Sequence, residues 1–239
     1  MINKSNKFFE YMKGNISKKF IFQIYLPLLM LTHYGLIFIS WLLFPTDYTL
    51  FSNSISQLGI PILNPSGWFL FSLDCWVISI LTIPLVIFTY HRMKAFRKNI
   101  VKLAATSYMI STIGSFIIGF FPNYDGVIIF HEIFAIITIC GSIISLMLYF
   151  VVIIRDILKT KKRNHNYLIF CCILMIIIIL SISIGIVISQ RWLIFQGAGF
   201  MSLLFGFPFL EWLLSFVLIF ESIFIMFMTP SDKKFQGKD

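Results

Sequence analysis

The stretch FFPNYDGVIIFHEIFAII, residues 120–137, places three ionisable side chains at the edge of a strongly apolar run. Asp125 lies in a turn, and His131 and Glu132 follow one to two helical turns into the run, although only 12% of the chain is charged. A histidine beside carboxylates can act as a general base, bind an anionic group or form a structural hydrogen bond. These residue types mark the first candidate site.

Further polar side chains are expected at the same level of the protein. Ser54 and Ser56 belong to the segment LFSNSISQLGIP, which lies in a loop between apolar runs. Asp74 lies about two turns into the next run, Arg191 lies in a later loop, and Glu211 begins the last run. The candidate outer-leaflet polar site therefore has eight members: Ser54, Ser56, Asp74, Asp125, His131, Glu132, Arg191 and Glu211.

Catalysis is one interpretation of this candidate site. Ser54 or Ser56 would be a nucleophile and His131 its general base. Asp74 or Asp125 would then orient the imidazole, as the acid of a catalytic triad does. No GxSxG or HExxH motif accompanies these residues in the sequence, so whether the protein is an enzyme stays open.

Binding and structural pairing are the other two interpretations, and the sequence leaves both open. Arg191 and His131 can together hold the phosphate of a lipid head group, with loop hydroxyls completing the site. Alternatively, Arg191 pairs with Glu211 or Glu132, and His131 forms a hydrogen bond to Asp125 or to the loop. The second case would make the polar residues part of the scaffold.

Two ionisable residues inside apolar runs lie outside this cluster. His33 falls near the middle of the first run, and Glu221 lies deeper in the last one. Ionisable groups in a membrane span are costly, at about 2.5–3.5 kcal/mol for a carboxylate at the bilayer centre, so they suggest function. For His33 we predict a hydrogen bond to a neighbouring helix. Together with Asp74, these residues motivate a transporter as one alternative.

Composition identifies the elements that must position these residues. Of the 239 residues, 59% are hydrophobic, and the mean hydropathy is +0.91. A soluble domain has roughly half apolar and about a quarter charged residues, so this chain is an integral membrane protein. The apolar runs are about 20 residues or longer, as membrane helices require. We predict an all-α bundle of six transmembrane helices at residues 20–44, 66–90, 101–121, 127–154, 167–189 and 208–228.

The basic residues predict the orientation of this bundle. All 19 Lys and Arg residues except Arg191 fall on one side of the predicted membrane, and the positive-inside rule assigns that side to the cytoplasm. Both termini are then cytoplasmic: a basic segment at 1–19, a transmembrane domain at 20–228 and a tail at 229–239. The net charge of +9 is thereby explained without nucleic acid as a partner. We expect a multi-pass protein of the cell membrane.

Cysteines and small residues carry less chemistry. The four cysteines, Cys75, Cys140, Cys171 and Cys172, all lie inside apolar runs without metal-ligand spacing, so no metal site and no cofactor is predicted. Ser111, Ser115 and Gly119 recur every four residues in the third run. Small residues at this spacing let helices approach closely in lipid, so we predict a packing seam there.

Several short motifs recur together in one known family. They are SISQLGIP, Asn64 before the second span, GFFPNYDG, His131 in the next span, and Glu211 at the start of the last span. In this order they resemble the six-pass bacterial and archaeal family catalogued as domain of unknown function 998, with a distant similarity to DRAM-like membrane proteins. The resemblance implies six helices and no established activity. Gln57 stands where that family more often has Asp, and Trp212 where Arg is common.

The leading functional hypothesis is that the protein binds or handles a lipid or small amphiphile at the outer-leaflet polar pocket, with membrane lipids as its partners. A membrane-embedded hydrolase of a lipid ester or amide is the first alternative. A small-molecule or proton-coupled transporter is the second. The oligomeric state is not predicted.

Overall fold

The computed structural model describes residues 16–122, 126–160, 169, 172–182, 184 and 207–230. Within these residues it is helical and contains no strand. The helices, numbered in chain order, are α1 (Lys18–Leu42), α2 (Trp68–Met93), α3 (Lys98–Ile118), α4 (Ile128–Thr160), α5 (Cys172–Ile182) and α6 (Phe207–Met228).

All of these helices except α5 are long and apolar enough to cross a membrane. The prediction of an all-helical membrane protein is therefore confirmed. Predicted and observed ends of these five spans agree to within three residues, apart from the end of α4. There the helix runs through Arg155 and Asp156 to Thr160, because charged residues are tolerated once a helix has left the hydrocarbon. The fifth predicted span, 167–189, lies only partly within the described residues.

Five helices surround the centre of the bundle. Helix α1 packs on α2, α2 on α3 and α3 on α4, with the most extensive contact between α3 and α4, and α4 also packs on α6. Aromatic contacts join α6 to α1. Tyr34 stacks on Phe216 with ring centroids 5.7 Å apart, and Phe22 contacts Phe227 edge-on with centroids 6.2 Å apart. Core side chains of α5 belong to the same apolar cluster as side chains of α2, α3, α4 and α6.

One end of the bundle, here called the Arg92 end, is held together by two cations. The Arg92 guanidinium donates to the carbonyls of Pro230 at 3.0 Å and Ile16 at 3.1 Å. The Lys18 ammonium donates to the carbonyl of Thr229 at 2.7 Å. Carbonyls at a helix C-terminus lack partners within the helix, so cations there are stabilising. These bonds place the start of α1, the end of α2 and the end of α6 together.

The opposite end, here called the Glu211 end, is covered by the segment 43–67. A short 3₁₀ helix, Ile55–Gly59, forms its centre. Beneath it lies an apolar cluster that includes Leu58, Phe71 and Trp212. Asn64 is fully buried and donates to the carbonyls of Ser40 and Leu58, at 3.1 and 3.0 Å. These contacts hold the segment against the ends of α1, α2 and α6.

Prolines interrupt two of the helices that face the bundle centre. Pro27 in α1 follows a wide π-helical turn, Ile21–Tyr25, and Pro84 lies inside α2. A proline lacks the N–H that would bond the carbonyl four residues earlier, so backbone groups near it need other partners. In the turn that precedes Pro84, the Tyr25 hydroxyl donates to the Leu81 carbonyl at 2.7 Å and joins α1 to α2.

Candidate functional site

The eight residues predicted to form one outer-leaflet pocket do not share one set of contacts. Ser54, Ser56 and Glu211 come together at the Glu211 end, whereas Asp74 and His131 each bond to other groups. Glu132 is exposed on α4. The remaining two, Asp125 and Arg191, lie outside the described residues.

The carboxyl group of Glu211 faces the start of the 3₁₀ helix. It interacts with the hydroxyls of Ser54 and Ser56 and with the backbone N–H groups of Ile55 and Ser56. The two hydroxyl oxygens are 3.0 Å apart. The Oε2 atom of Glu211 is buried and has no hydrogen-bond partner of good geometry within the described residues. This contact joins α6 to the loop without involving a histidine.

Neighbouring residues explain why the loop presents these donors to Glu211. Gln57 accepts hydrogen bonds from the Ser54 N–H at 3.2 Å and from the Asn53 side chain at 3.1 Å, which begins the 3₁₀ helix at Ile55. The Trp212 indole donates to the Asn53 carbonyl at 3.1 Å. The Tyr48 hydroxyl donates to the Ser54 carbonyl at 2.7 Å, and burial raises the pKa of Tyr48 well above its usual value. These hydrogen bonds position the loop against the start of α6.

His131 is buried and bonds to the backbone. Its Nδ1 lies 2.9 Å from the carbonyl oxygen of Phe121. Because a carbonyl only accepts, Nδ1 must carry the proton. The bond joins the start of α4 to the residues just after α3, and Phe121 also stacks on Phe130 and Phe134. Among the three interpretations of His131, this contact corresponds to the structural one.

Asp74 is hydrogen-bonded to His33 in the interior of the bundle. The Nδ1 atom of His33 lies 2.9 Å from Oδ2 and 3.1 Å from Oδ1 of Asp74, and the two side chains are 13% and 6% exposed. This is the bond to a neighbouring helix that the sequence predicts for His33. When Asp74 is ionised its oxygens only accept hydrogen bonds, and Nδ1 of His33 is then the donor.

A cavity of about 230 Å³ lies at the centre of the bundle, next to this pair. All five long helices line it, and His33 forms part of its wall. One part of the lining is apolar, with side chains such as Met30, Leu146 and Ile219. The other part is a set of ten hydroxyl side chains: Ser79, Thr82, Tyr108, Ser111, Thr112, Ser115, Thr138, Ser142, Ser215 and Ser222.

Most of these hydroxyls already donate their single proton in a hydrogen bond within the protein. Ser111 donates to the Thr138 carbonyl at 2.7 Å, and Ser142, 2.6 Å from Ser111, is therefore the donor of that pair. By the same logic Tyr108 donates to Ser222, 3.0 Å away, because Ser222 donates to the Leu218 carbonyl. Three more bond to the carbonyl four residues earlier: Ser79, Thr112 and Thr138. Their oxygens keep lone pairs, so the wall consists mainly of acceptors.

Sequence reasoning missed this cavity, although part of its signal is visible. Ser111 and Ser115 were interpreted together with Gly119 as one packing seam. In the structure Ser111 does contact α4, but Ser115 lines the cavity and Gly119 packs against Trp76 of α2. Hydroxyl residues at helical spacing on α3, α4 and α6 together were the available signal.

The described residues contain no group of three or more His, Cys, Asp or Glu side chains that could hold a metal ion. Comparison of the chain with protein-family models, with curated proteins and with solved structures finds no match. The features that bear on function are the contact of Glu211 with Ser54 and Ser56, the contact of Asp74 with His33, and the cavity.

Proposed function

We propose that the protein binds a small amphiphile in the central cavity, within the membrane. The observation that carries this proposal is the mixed lining of the cavity, in which ten hydroxyl side chains occur together with apolar side chains. Binding sites for small molecules are typically apolar with a few polar groups that orient the ligand. An amphiphile would place its chain on the apolar part and its head group on the hydroxyls. This location is deeper than the outer-leaflet pocket predicted from the sequence.

The size of the cavity limits the ligand. A volume of about 230 Å³ corresponds to about seven or eight water molecules at ~30 Å³ each. This volume is below the ~300–1,000 Å³ of typical drug-sized pockets. The ligand is therefore a short-chain molecule or one end of a lipid, and a complete phospholipid is too large.

Transport of the bound amphiphile is a second candidate, favoured by the length of the cavity. Its lining on α6 runs from Ser215 to Met226, which spans roughly 16 Å at 1.5 Å per residue. A narrow cavity of about 10 Å³, lined by Thr89 and Tyr149, continues toward the Arg92 end. For a hydrolase we find no comparable observation, since no serine hydroxyl contacts a histidine within the described residues.

A cavity-filling variant tests the binding proposal. Ser115 lines the cavity and has no hydrogen bond to the part of the chain that the structure describes, so Ser115→Leu adds apolar volume to the cavity and removes no hydrogen bond seen there. We expect at least one of three six-carbon probes, hexylammonium, 1-hexanol or hexanoate, to raise the melting temperature of the purified protein. Ser115→Leu should remove that increase, since a ligand stabilises only the state that binds it.

Thr106→Leu is the matched control, because Thr106 is exposed on the same helix. It adds an apolar side chain on the outer surface and should leave the probe response unchanged. If all three probes shift the wild type, Ser115→Leu and Thr106→Leu equally, they act through the detergent or the lipid. The binding proposal would then be abandoned.

We further propose that the chain crosses the cell membrane six times, with both termini in the cytoplasm. Hydrogen bonds place the start of α1 and the end of α6 at the same Arg92 end, which requires an even number of crossings. The five long helices supply an odd number. Since α4 ends at the Arg92 end and α6 begins at the Glu211 end, one further crossing is needed between them. The apolar helix α5 lies in that stretch and is its natural centre.

Labelling of single cysteines tests this topology. In a background with the four native cysteines replaced by alanine, Ser52→Cys and Arg191→Cys should react with an impermeant thiol reagent in intact cells. Arg97→Cys and Lys161→Cys should react only after the membrane is permeabilised, because the basic loops face the cytoplasm. Labelling of Lys161→Cys and Arg191→Cys from the same side would refute the sixth crossing.

A further inference from the structure

We infer that the central cavity selects a cationic head group, a primary or secondary ammonium, over a neutral or anionic one. The inference deepens the proposed binding function and depends on it. Two independent features of the cavity carry it: the direction of the hydrogen bonds in its hydroxyl wall, and the charge of the His33–Asp74 pair beside it.

The hydroxyl wall offers a ligand mainly acceptors. Seven of the ten lining hydroxyls donate to backbone carbonyls or to one another, and only Thr82, Ser115 and Ser215 have no hydrogen bond within the described residues. A carboxylate or phosphate accepts only and would find few donors here. An ammonium group donates up to three hydrogen bonds and accepts none, which matches the wall.

The charges near the cavity also favour a cationic head group. No Lys or Arg belongs to the described lining, so an anionic head group would have no cation to pair with. The formal charge next to the cavity is that of Asp74. His33, which lines the cavity, connects to it because its Nδ1 donates to the Asp74 carboxylate. With the proton on Nδ1, the Nε2 atom keeps a lone pair and is a further acceptor.

The Asp74 charge strengthens this acceptor. A carboxylate that accepts from one nitrogen of an imidazole makes the other nitrogen more basic, as is known for histidines that bind metal ions. In the poorly screened interior, the attraction between Asp74 and an ammonium across the ring remains considerable. The head group would therefore bind beside His33, with its chain directed along the apolar wall toward Leu26 and Met226.

The experiment compares hexylammonium, 1-hexanol and hexanoate at neutral pH, where the first carries a positive charge and the last a negative one. The dissociation constant of each follows from the concentration dependence of the melting temperature, with Ser115→Leu as the reference for uptake by detergent. For the wild type we expect hexylammonium to bind about tenfold more tightly than 1-hexanol. Hexanoate should not differ between the wild type and Ser115→Leu.

Asp74→Asn tests the contribution of the Asp74 charge to head-group selection. Asparagine keeps the size of the side chain and an oxygen that accepts from His33, so this variant should lose most of the tenfold preference while 1-hexanol binds as before. If the wild type binds 1-hexanol or hexanoate as tightly as hexylammonium, the head-group inference is wrong while amphiphile binding stands. If no probe distinguishes the wild type from Ser115→Leu, the binding proposal fails first. The ranking in the wild type decides the matter even if Asp74→Asn does not fold.

Discussion

Replacing His33 by alanine is expected to lower the free energy of unfolding by about 3–5 kcal/mol, because it leaves Asp74 buried without a partner. The two side chains are 13% and 6% exposed, and the Nδ1 atom of His33 lies within hydrogen-bond distance of both carboxylate oxygens. Unfolding of the purified protein by increasing SDS in mixed micelles measures the change. Asp74→Ala should cost less, since a histidine left alone can stay neutral.

The double variant His33→Leu with Asp74→Leu tests whether the loss comes from the stranded charge. Apolar replacements of similar size remove both desolvation costs, so the double variant should recover much of the lost stability. His131→Ala is a useful contrast, since it removes a buried histidine whose partner is the neutral Phe121 carbonyl. Its expected cost is about 1–2 kcal/mol. An equal loss for His33→Ala and His131→Ala would mean that the Asp74 charge contributes nothing to stability.

The helices were predictable because the bilayer imposes their length. A chain in hydrocarbon must satisfy its own backbone hydrogen bonds, so long apolar runs become helices whatever their detailed sequence. Glu211, Ser54 and Ser56 could be assigned to one polar region because all three are expected at the same membrane depth. Depth follows from counting residues, which is why these expectations could be made.

The rotation of each helix about its own axis could not be predicted by counting residues. Asp74 was assigned to the outer-leaflet pocket because its depth is close to that of the loop, yet it faces His33 of α1. The cavity depends on the rotation of five helices at once, since each contributes one face of hydroxyl or apolar side chains. In lipid, both faces of a helix can be apolar, so hydrophobic periodicity does not reveal which side faces the interior.

The seam between α3 and α4 determines whether the hydroxyl wall is held in place. A Cβ atom added at Gly141 would lie 2.9 Å from the Ser107 carbonyl oxygen and 3.0 Å from the Ser111 Cβ. The first of these atoms belongs to the backbone of α3 and cannot rotate away. Small residues at such positions let helices in lipid approach closely. A larger side chain at Gly141 must therefore push α4 away from α3.

Gly141→Leu is expected to destabilise the protein by about 3 kcal/mol or more, as overpacking of a tight interface does. Gly35→Leu is the matched control, because it lies inside α1 and a Cβ there would meet no atom within 4 Å. That substitution should be neutral or stabilising by up to about 1 kcal/mol, since glycine is a poor helix former. Unfolding in SDS measures both.

Separation of α3 from α4 would also break the 2.6 Å bond between Ser111 and Ser142, so Gly141→Leu should lose the response to hexylammonium while Gly35→Leu keeps it. Equal stability of the two variants would show that α3 and α4 do not need this close approach.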